Sequence, residues 1–297
     1  MFISVKTCVR LNVAIAVALC SWQAVGDEVR IERDVAYLGP DRKEKLDLYL
    51  PGTIPEGQRL PAVVIIHGGG WFGGDKGAKR EQNIGTNLAR AGYVCVSINY
   101  LLAEKKDENL GKRLATVWPK NLHDCKTAVR FLRRNAARYH IDPDHIGAIG
   151  GSAGGHLTAM LGLTGPDDGL DPEGPYGEFS CRVQAMVPMY GVHDLITRVR
   201  DDNLLDALND QQRRLCIAAS PVTYASKDDP PALILHGTAD STVAVKQSGL
   251  LADTLRKVDA SAELVIVEGA PHSFHLQPKQ RDLRRLVIGF FDQHLKR

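Results

Sequence analysis

The run Ala62-Val63-Val64-Ile65-Ile66 is apolar without interruption and largely β-branched. Such a run predicts a strand buried on both faces of a parallel sheet. A second buried strand is predicted over Tyr93 to Tyr100, and further strands over Ile146 to Ile149, Val183 to Met189, Ala232 to Leu235 and Ala262 to Val267. Between them the spacing turns helical, around Lys79 to Ala91, over Asn121 to Ala137 and Val245 to Val258, and finally over Lys279 to Leu295. The second helix would place Leu122, Cys125, Ala128, Val129 and Leu132 on one face. Upstream, Val29 to Tyr37 and Lys45 to Leu50 alternate apolar with polar, as half-buried antiparallel edge strands do. Gly39-Pro40-Asp41 turns between these two strands, and Pro51 stops the second. Strands alternating with helices predict an α/β class with a mostly parallel sheet and helices on both faces. Residues 164–180 and 194–220 are polar and rich in Gly, Pro and Asp. They read as two excursions over one end of the sheet, a small cap on a single domain of residues 27–297.

The first 26 residues stand apart from this pattern. Lys6 and Arg10 precede an apolar stretch, Leu11 to Cys20, that is too short to span a bilayer comfortably. Ala24-Val25-Gly26 then offers the small residues a signal peptidase reads, which predicts cleavage after Gly26 and a secreted or periplasmic protein. A lipoprotein would need a small residue before Cys20, where Leu19 stands. Loss of Lys6 and Arg10 from the 37 basic residues leaves 35 against 35 acidic ones. A neutral chain gives no electrostatic reason to expect nucleic acid or an anionic membrane as partner. Cys95, Cys125, Cys181 and Cys216 remain after cleavage, with no C-x-x-C among them. Cys95 reads as a buried thiol in a strand. Cys181 and Cys216 bracket a loop-rich region and are the expected disulfide of an exported protein.

Candidate chemistry centres on Gly150-Gly151-Ser152-Ala153-Gly154, a G-x-S-x-G between an apolar strand and a helix-like run. Strand, sharp turn and helix form the context of a nucleophile elbow. A serine hydroxyl is a weak nucleophile near neutrality and needs a base held by a carboxylate. Sites in open parallel sheets form at the carboxyl ends of strands, so the partners are sought just after later strands. Asp240 follows the strand ending at Leu235, and His272 follows the one ending near Val267. Glu268 and His275 are the competing acid and base. His67-Gly68-Gly69-Gly70-Trp71 follows the first buried strand, and its glycines would let backbone N–H groups reach an oxyanion. Gly69 and Gly70, with Ala153 across the turn, are the expected donors. Residues 68–73 also fit G-x-G-x-x-G, but no acidic residue stands at a strand end about twenty residues on. Trp71 would moreover crowd a pyrophosphate. The ten histidines show neither H-E-x-x-H nor a carboxylate cluster, so no metal is expected. His67 and His156 read as packing and hydrogen-bonding residues within their motifs.

Together the His67–Trp71 motif, Gly73-Gly74-Asp75-Lys76, the Ser152–His156 elbow and the Asp240 and His272 loops resemble the α/β-hydrolase superfamily. Within it they are similar to hormone-sensitive-lipase-like esterases, especially the branch containing acetylxylan and feruloyl esterases. The resemblance runs from about Tyr37 to the C-terminus. It implies ester hydrolysis without a cofactor, by a triad of Ser152, Asp240 and His272. Ala244 stands where that family often has proline, and Pro271 where glycine is frequent; neither change removes a reacting group. Kynurenine formamidase shares a H-G-G-x-W motif, so amide cleavage is an alternative, as is a non-catalytic binding protein on the same fold. Leu195-Ile196, Leu204-Leu205 and Leu208 supply enough apolar surface for a small pocket wall, less than the amphipathic face a lipase lid presents to oil. Short acyl esters, acetyl first, and carbohydrate-linked ones such as acetylated xylan, are therefore the expected substrates.

Overall fold

The computed structural model describes residues 28–104 and 110–296. The expected signal segment lies outside these residues. One eight-stranded sheet runs through the molecule in the order β1-β2-β4-β3-β5-β6-β7-β8. The strands are β1 (Val29–Ala36), β2 (Lys45–Pro51), β3 (Leu60–Ile66), β4 (Val94–Ile98), β5 (Ile141–Gly151), β6 (Ala185–Met189), β7 (Ala232–Gly237) and β8 (Ala262–Val267). All pairs from β4 through β8 are parallel, and β2 is antiparallel to both β1 and β4. The helices are α1 (Lys79–Arg90), α2 (Leu110–Val117), α3 (Lys120–Arg134), α4 (Ala153–Leu163), α5 (Leu195–Asp201), α6 (Asp210–Ala218), α7 (Lys246–Lys257) and α8 (Arg284–Leu295).

The uninterrupted apolar runs are explained by two packed layers. Val64 and Ile66 of β3 join a core with Leu122, Val129 and Leu157 of α3 and α4. Val63 and Ile65, facing the other way, join Ile84 and Leu88 of α1 and Phe291 of α8. Alternate side chains of one strand therefore feed both cores, so neither face tolerates polar positions.

Polar patterning misleads at β2. Its alternation predicts a half-buried edge strand, yet β1 and β4 flank it and it is buried from Leu46 to Pro51. Asp47, fully buried, is compatible with this because Lys76 Nζ lies 2.7 Å and Arg33 Nη1 3.1 Å from its carboxylate. A paired and hydrogen-bonded charge can occupy a site an isolated one cannot.

The two excursions separate in space. Residues 164–180 follow the far end of α4, about 16 Å of helix from Ser152. They are fastened to α3, where Arg130 donates to the carbonyls of Pro172 and Phe179 and Lys126 pairs with Asp171 at 2.6 Å. Residues 194–220 instead form α5 and α6 above the carboxyl edge of the sheet. Asp194 caps α5 through Thr197 N–H, and Asn209 with Gln212 forms a capping box on α6. A cap over the site is thus built from the second excursion and from α2, not from residues 164–180. The expected Cys181–Cys216 disulfide is absent: both are free, buried thiols, Cys216 within the core beneath the cap and Cys181 with its thiol pushed up by burial.

Candidate active site

Ser152 occupies the turn between β5 and α4 with φ 60° and ψ −123°, a conformation side chains other than glycine rarely adopt. The strain is held by its own backbone, whose N–H donates to Met189 O at 2.9 Å and whose carbonyl accepts from His156 N–H at 3.0 Å. The start of α4 must cross close over the end of β3. A Cβ on Gly154 would strike the carbonyl oxygen of Ile66 and come within 2.6 Å of that of His67. The G-x-S-x-G spacing is therefore a packing requirement of the elbow.

The structure brings Ser152, His272 and Asp240 together. His272 Nε2 lies 2.9 Å from Ser152 Oγ, and Nδ1 lies 2.7 Å from Asp240 Oδ2. The carboxylate can only accept, so Nδ1 carries the proton and Nε2 is left to accept from the serine hydroxyl. Asp240 Oδ1 accepts from the N–H groups of Thr242 at 2.8 Å and Val243 at 2.9 Å. Burial by itself would raise the Asp240 pKa. Hydrogen bonds from His236, His272, Val243 and Thr242 outweigh it and hold the group well below the usual carboxylate range. The His272 imidazole therefore faces a carboxylate held in its ionised form.

The competitors are placed elsewhere. Glu268 accepts from the Thr238 hydroxyl at 3.1 Å at an exposed position. His275 Nδ1 accepts from Gln277 N–H at 2.9 Å. Both are occupied by their own loops.

Beside Ser152 lies the glycine turn. Gly69 has φ +117°, and a Cβ there would collide with the Gly73 carbonyl. Its own carbonyl accepts from Phe72 N–H at 3.2 Å and Gly73 N–H at 3.0 Å. A trans peptide points its N–H opposite to its carbonyl, so tying back Gly69 O turns Gly70 N–H away from the loop. Gly69, Gly70, Ala153, Ser152 and His272 line one cavity of about 630 Å³. Arg113 of α2 braces the turn, donating to Gly70 O at 3.2 Å with its guanidinium 4.5 Å over the Phe72 ring.

His67 and His156 take the supporting roles the sequence suggests. His67 stacks on Tyr100 at 4.4 Å, and burial lowers it to about 4. His156 accepts from Trp71 Nε1 at 3.2 Å and donates to Ala219 O at 2.7 Å; burial lowers it to about 4 as well. No group of three metal-ligating side chains occurs among the described residues.

Several supporting residues carry no motif in the sequence. Tyr190 donates to Phe274 O at 2.5 Å, and its ring meets His272 edge-on at 5.0 Å. Arg80 donates to the Tyr190 hydroxyl at 3.2 Å and pairs with the buried Glu81. The one available signal was the Lys79–Ala91 helix spacing, which places Arg80 and Glu81 together in the first turn at the carboxyl edge.

A hydroxyl, a base oriented by an ionised acid and a turn of backbone N–H groups can together carry out nucleophilic acyl transfer. Comparison with known proteins agrees. The BD-FAE family model matches residues 46–255. A probable carboxylic ester hydrolase of Mycobacterium tuberculosis, LipM, is 34% identical over 264 residues; the match covers 83% of this chain and 58% of LipM. The chain thus spans under two thirds of that relative's length. Among solved structures, a truncated carbohydrate esterase from gut microbiota superposes with a TM-score of 0.76 at 27% identity, covering 90% of this chain and 97% of that one. The acetyl ester-xyloside bifunctional hydrolase of Caldicellulosiruptor lactoaceticus gives 0.70 at 25% identity, covering 86% and 89%.

Proposed function

The chain belongs to the BD-FAE family of α/β-hydrolase-fold esterases, and from that premise we propose that it is an exported serine carboxylesterase acting on short acyl esters, with carbohydrate-linked acetyl groups as its natural class of substrate. The observation that carries the reading is the Ser152–His272–Asp240 chain, 2.9 and 2.7 Å long, beside the Gly69-Gly70 turn.

In this mechanism Ser152 Oγ attacks the ester carbonyl carbon while its proton passes to His272 Nε2. The carbonyl oxygen becomes an oxyanion held by the N–H groups of Gly69, Gly70 and Ala153, an interaction of a few kcal/mol in comparable sites, about 3. Collapse breaks the C–O bond to the alcohol, which leaves with the proton from His272. Water, deprotonated by the same nitrogen, attacks the acyl-enzyme and releases the acid and Ser152. Asp240 stays ionised throughout and keeps the imidazole in the Nδ1–H tautomer.

Two features of the cavity support a small acyl group on a polar alcohol. Trp71, 4% exposed, fills the space behind the glycine turn. The remaining wall mixes Leu204 and Val243 with Asp75, Arg113, Arg198 and Asp202. A sugar presents hydroxyls to such a wall, whereas a long acyl chain needs a continuous apolar channel. The structural resemblance to carbohydrate esterases supports the same class. Export rests on the N-terminal pattern of residues 1–26.

The deciding experiment is kcat/KM across acetyl, butyryl, octanoyl and palmitoyl esters, with acetylated xylan, a feruloyl ester and an N-formyl amide beside them. A maximum at acetyl is expected. A maximum at octanoyl or longer rejects the small pocket, and preference for the formyl amide rejects the esterase reading.

A further inference from the structure

Asp240 receives a second imidazole. His236, the penultimate residue of β7, places Nε2 3.2 Å from Asp240 Oδ2, the same oxygen that accepts from His272. That nitrogen also lies 2.9 Å from Val243 O, and Nδ1 lies 2.7 Å from the Ser248 hydroxyl on α7. The ring is wholly buried. Nε2 faces only a carbonyl and a carboxylate, both acceptors, so it carries the proton. Nδ1 then accepts from Ser248, and a serine hydroxyl can supply that proton. Every polar atom of the arrangement is satisfied in one tautomer only.

We propose that His236 is a positioning residue for the triad, holding Asp240 Oδ2 on the line to His272 Nδ1 through its Nε2–H, with the Ser248 hydroxyl donating to the Nδ1 that this tautomer leaves unprotonated. The inference rests on the proposed triad. The Thr242 and Val243 N–H groups fix Oδ1 only, and the one other donor on Oδ2 is the loop-borne His272, so without His236 the carboxylate plane could tilt about Oδ1 together with that ring. His236 supplies that donor from a strand end, the most rigid place available. It also competes with His272 for electron density on Oδ2, and so moderates how strongly Asp240 stabilises the imidazolium.

These two effects give the variant a signature that packing alone would not. Loss of the Nε2–H should misalign the acid and lower kcat, with KM nearly unchanged. It should also leave Asp240 a stronger partner for the protonated base, moving the acid limb of kcat/KM to higher pH. The titratable or charged groups facing the pair are His236 on β7, His193 behind it, Tyr190 after β6 and, behind Tyr190, Arg80 on α1; α7 contributes Ser248. Of these only His236 is altered in the two decisive variants, and only Ser248 in the third.

The test uses p-nitrophenyl acetate as probe, with His236→Leu, His236→Gln and Ser248→Ala in the full chain, each checked for folding by circular dichroism. His236→Leu should lower kcat by roughly 10- to 100-fold and raise the acid limb by several tenths of a pH unit. His236→Gln, whose Nε2 reaches the same place, should restore at least half of the loss on a logarithmic scale. Ser248→Ala should move both readouts in the same direction by a smaller amount. Equal losses in the Leu and Gln variants, or an unmoved acid limb, would overturn the proposal. Imidazole ¹⁵N NMR of the unmodified protein keeps it testable even where variants do not fold: protonation of His236 at Nδ1 instead of Nε2 overturns it. If Asp240→Asn stays active, the triad reading fails; if only the His236 variants stay unperturbed, this inference alone fails.

Discussion

The Tyr190 hydroxyl donates to the Phe274 carbonyl across 2.5 Å, two residues beyond His272, while the ring of Tyr190 supports the imidazole edge-on. One side chain therefore anchors both the loop and the ring of the base. Arg80 holds the hydroxyl from the other side, and a buried Tyr with these neighbours has its pKa pushed up to about 12, chiefly by burial. Its hydroxyl stays a donor across the working range. Tyr190→Phe keeps the ring and removes the anchor. The expected result is a fall of roughly 10-fold in kcat with little change in KM, as positioning effects give. Steady-state kinetics on an acetyl ester checks it, and a fall in KM affinity alone would mean that Tyr190 touches substrate instead.

Ser152 concerns stability as well as turnover. Ser152→Ala and Ser152→Gly should each lower kcat by about 10⁴ or more. They should differ in melting temperature. Alanine keeps a Cβ at φ 60°, a strained position costing about 1–3 kcal/mol, and glycine relieves it. Glycine's extra unfolded-state entropy offsets about 0.5–1 kcal/mol of that gain. The Gly variant should therefore melt a few degrees above the Ala variant. Equal melting temperatures would hold the strain to no more than that offset, about 0.5–1 kcal/mol.

The meeting of Ser152, Asp240 and His272 was legible because each follows an apolar strand, and the parallel order puts every such loop on one edge. β3, β5, β7 and β8 announce themselves by composition, and the residues after them inherit a location. Arg80, Tyr190 and His236 were not legible as a set, since they come from α1, the residue after β6, and β7, and meet only in three dimensions. β2 was misread because a polar residue in an alternating strand ordinarily marks solvent, whereas Asp47 is buried against Lys76 and Arg33. Short cap helices such as α2 and α6 have too few turns for a firm period and owe their helicity to packing. Both excursions share one composition, yet Lys126 and Arg130 draw residues 164–180 to α3, far from the site.

Asp240→Asn and Glu268→Gln separate the two candidate acids. Asparagine would turn an N–H or a weaker acceptor towards His272 and favour the wrong tautomer, at a cost of about 10⁴ in kcat. Glu268 bonds only Thr238 at an exposed site, so its amide should stay within about twofold of the parent. The measurement is kcat for both proteins at one pH, in parallel. A comparable loss in Glu268→Gln would move the acid to that residue.

His156 sets an acid boundary on the fold. Burial lowers it to about 4 in the folded chain, against about 6.5 when unfolded. Between these values the unfolded state binds the extra proton, so stability rises with pH and is lost as pH falls from about 6.5 towards about 4. The loss from one such ring reaches up to about 3 kcal/mol. His156→Gln removes that titration. At pH 7 the variant should be the less stable protein, because the Trp71 and Ala219 contacts are imperfectly replaced. At pH 4.5 the parent has lost the proton-linked part and the variant has not. The difference between their denaturant midpoints should therefore shrink on acidification, measured in parallel at the two pH values. A difference that stays constant would mean that His156 takes up no proton on unfolding, and His67, also lowered to about 4 by burial, would then be the ring to replace.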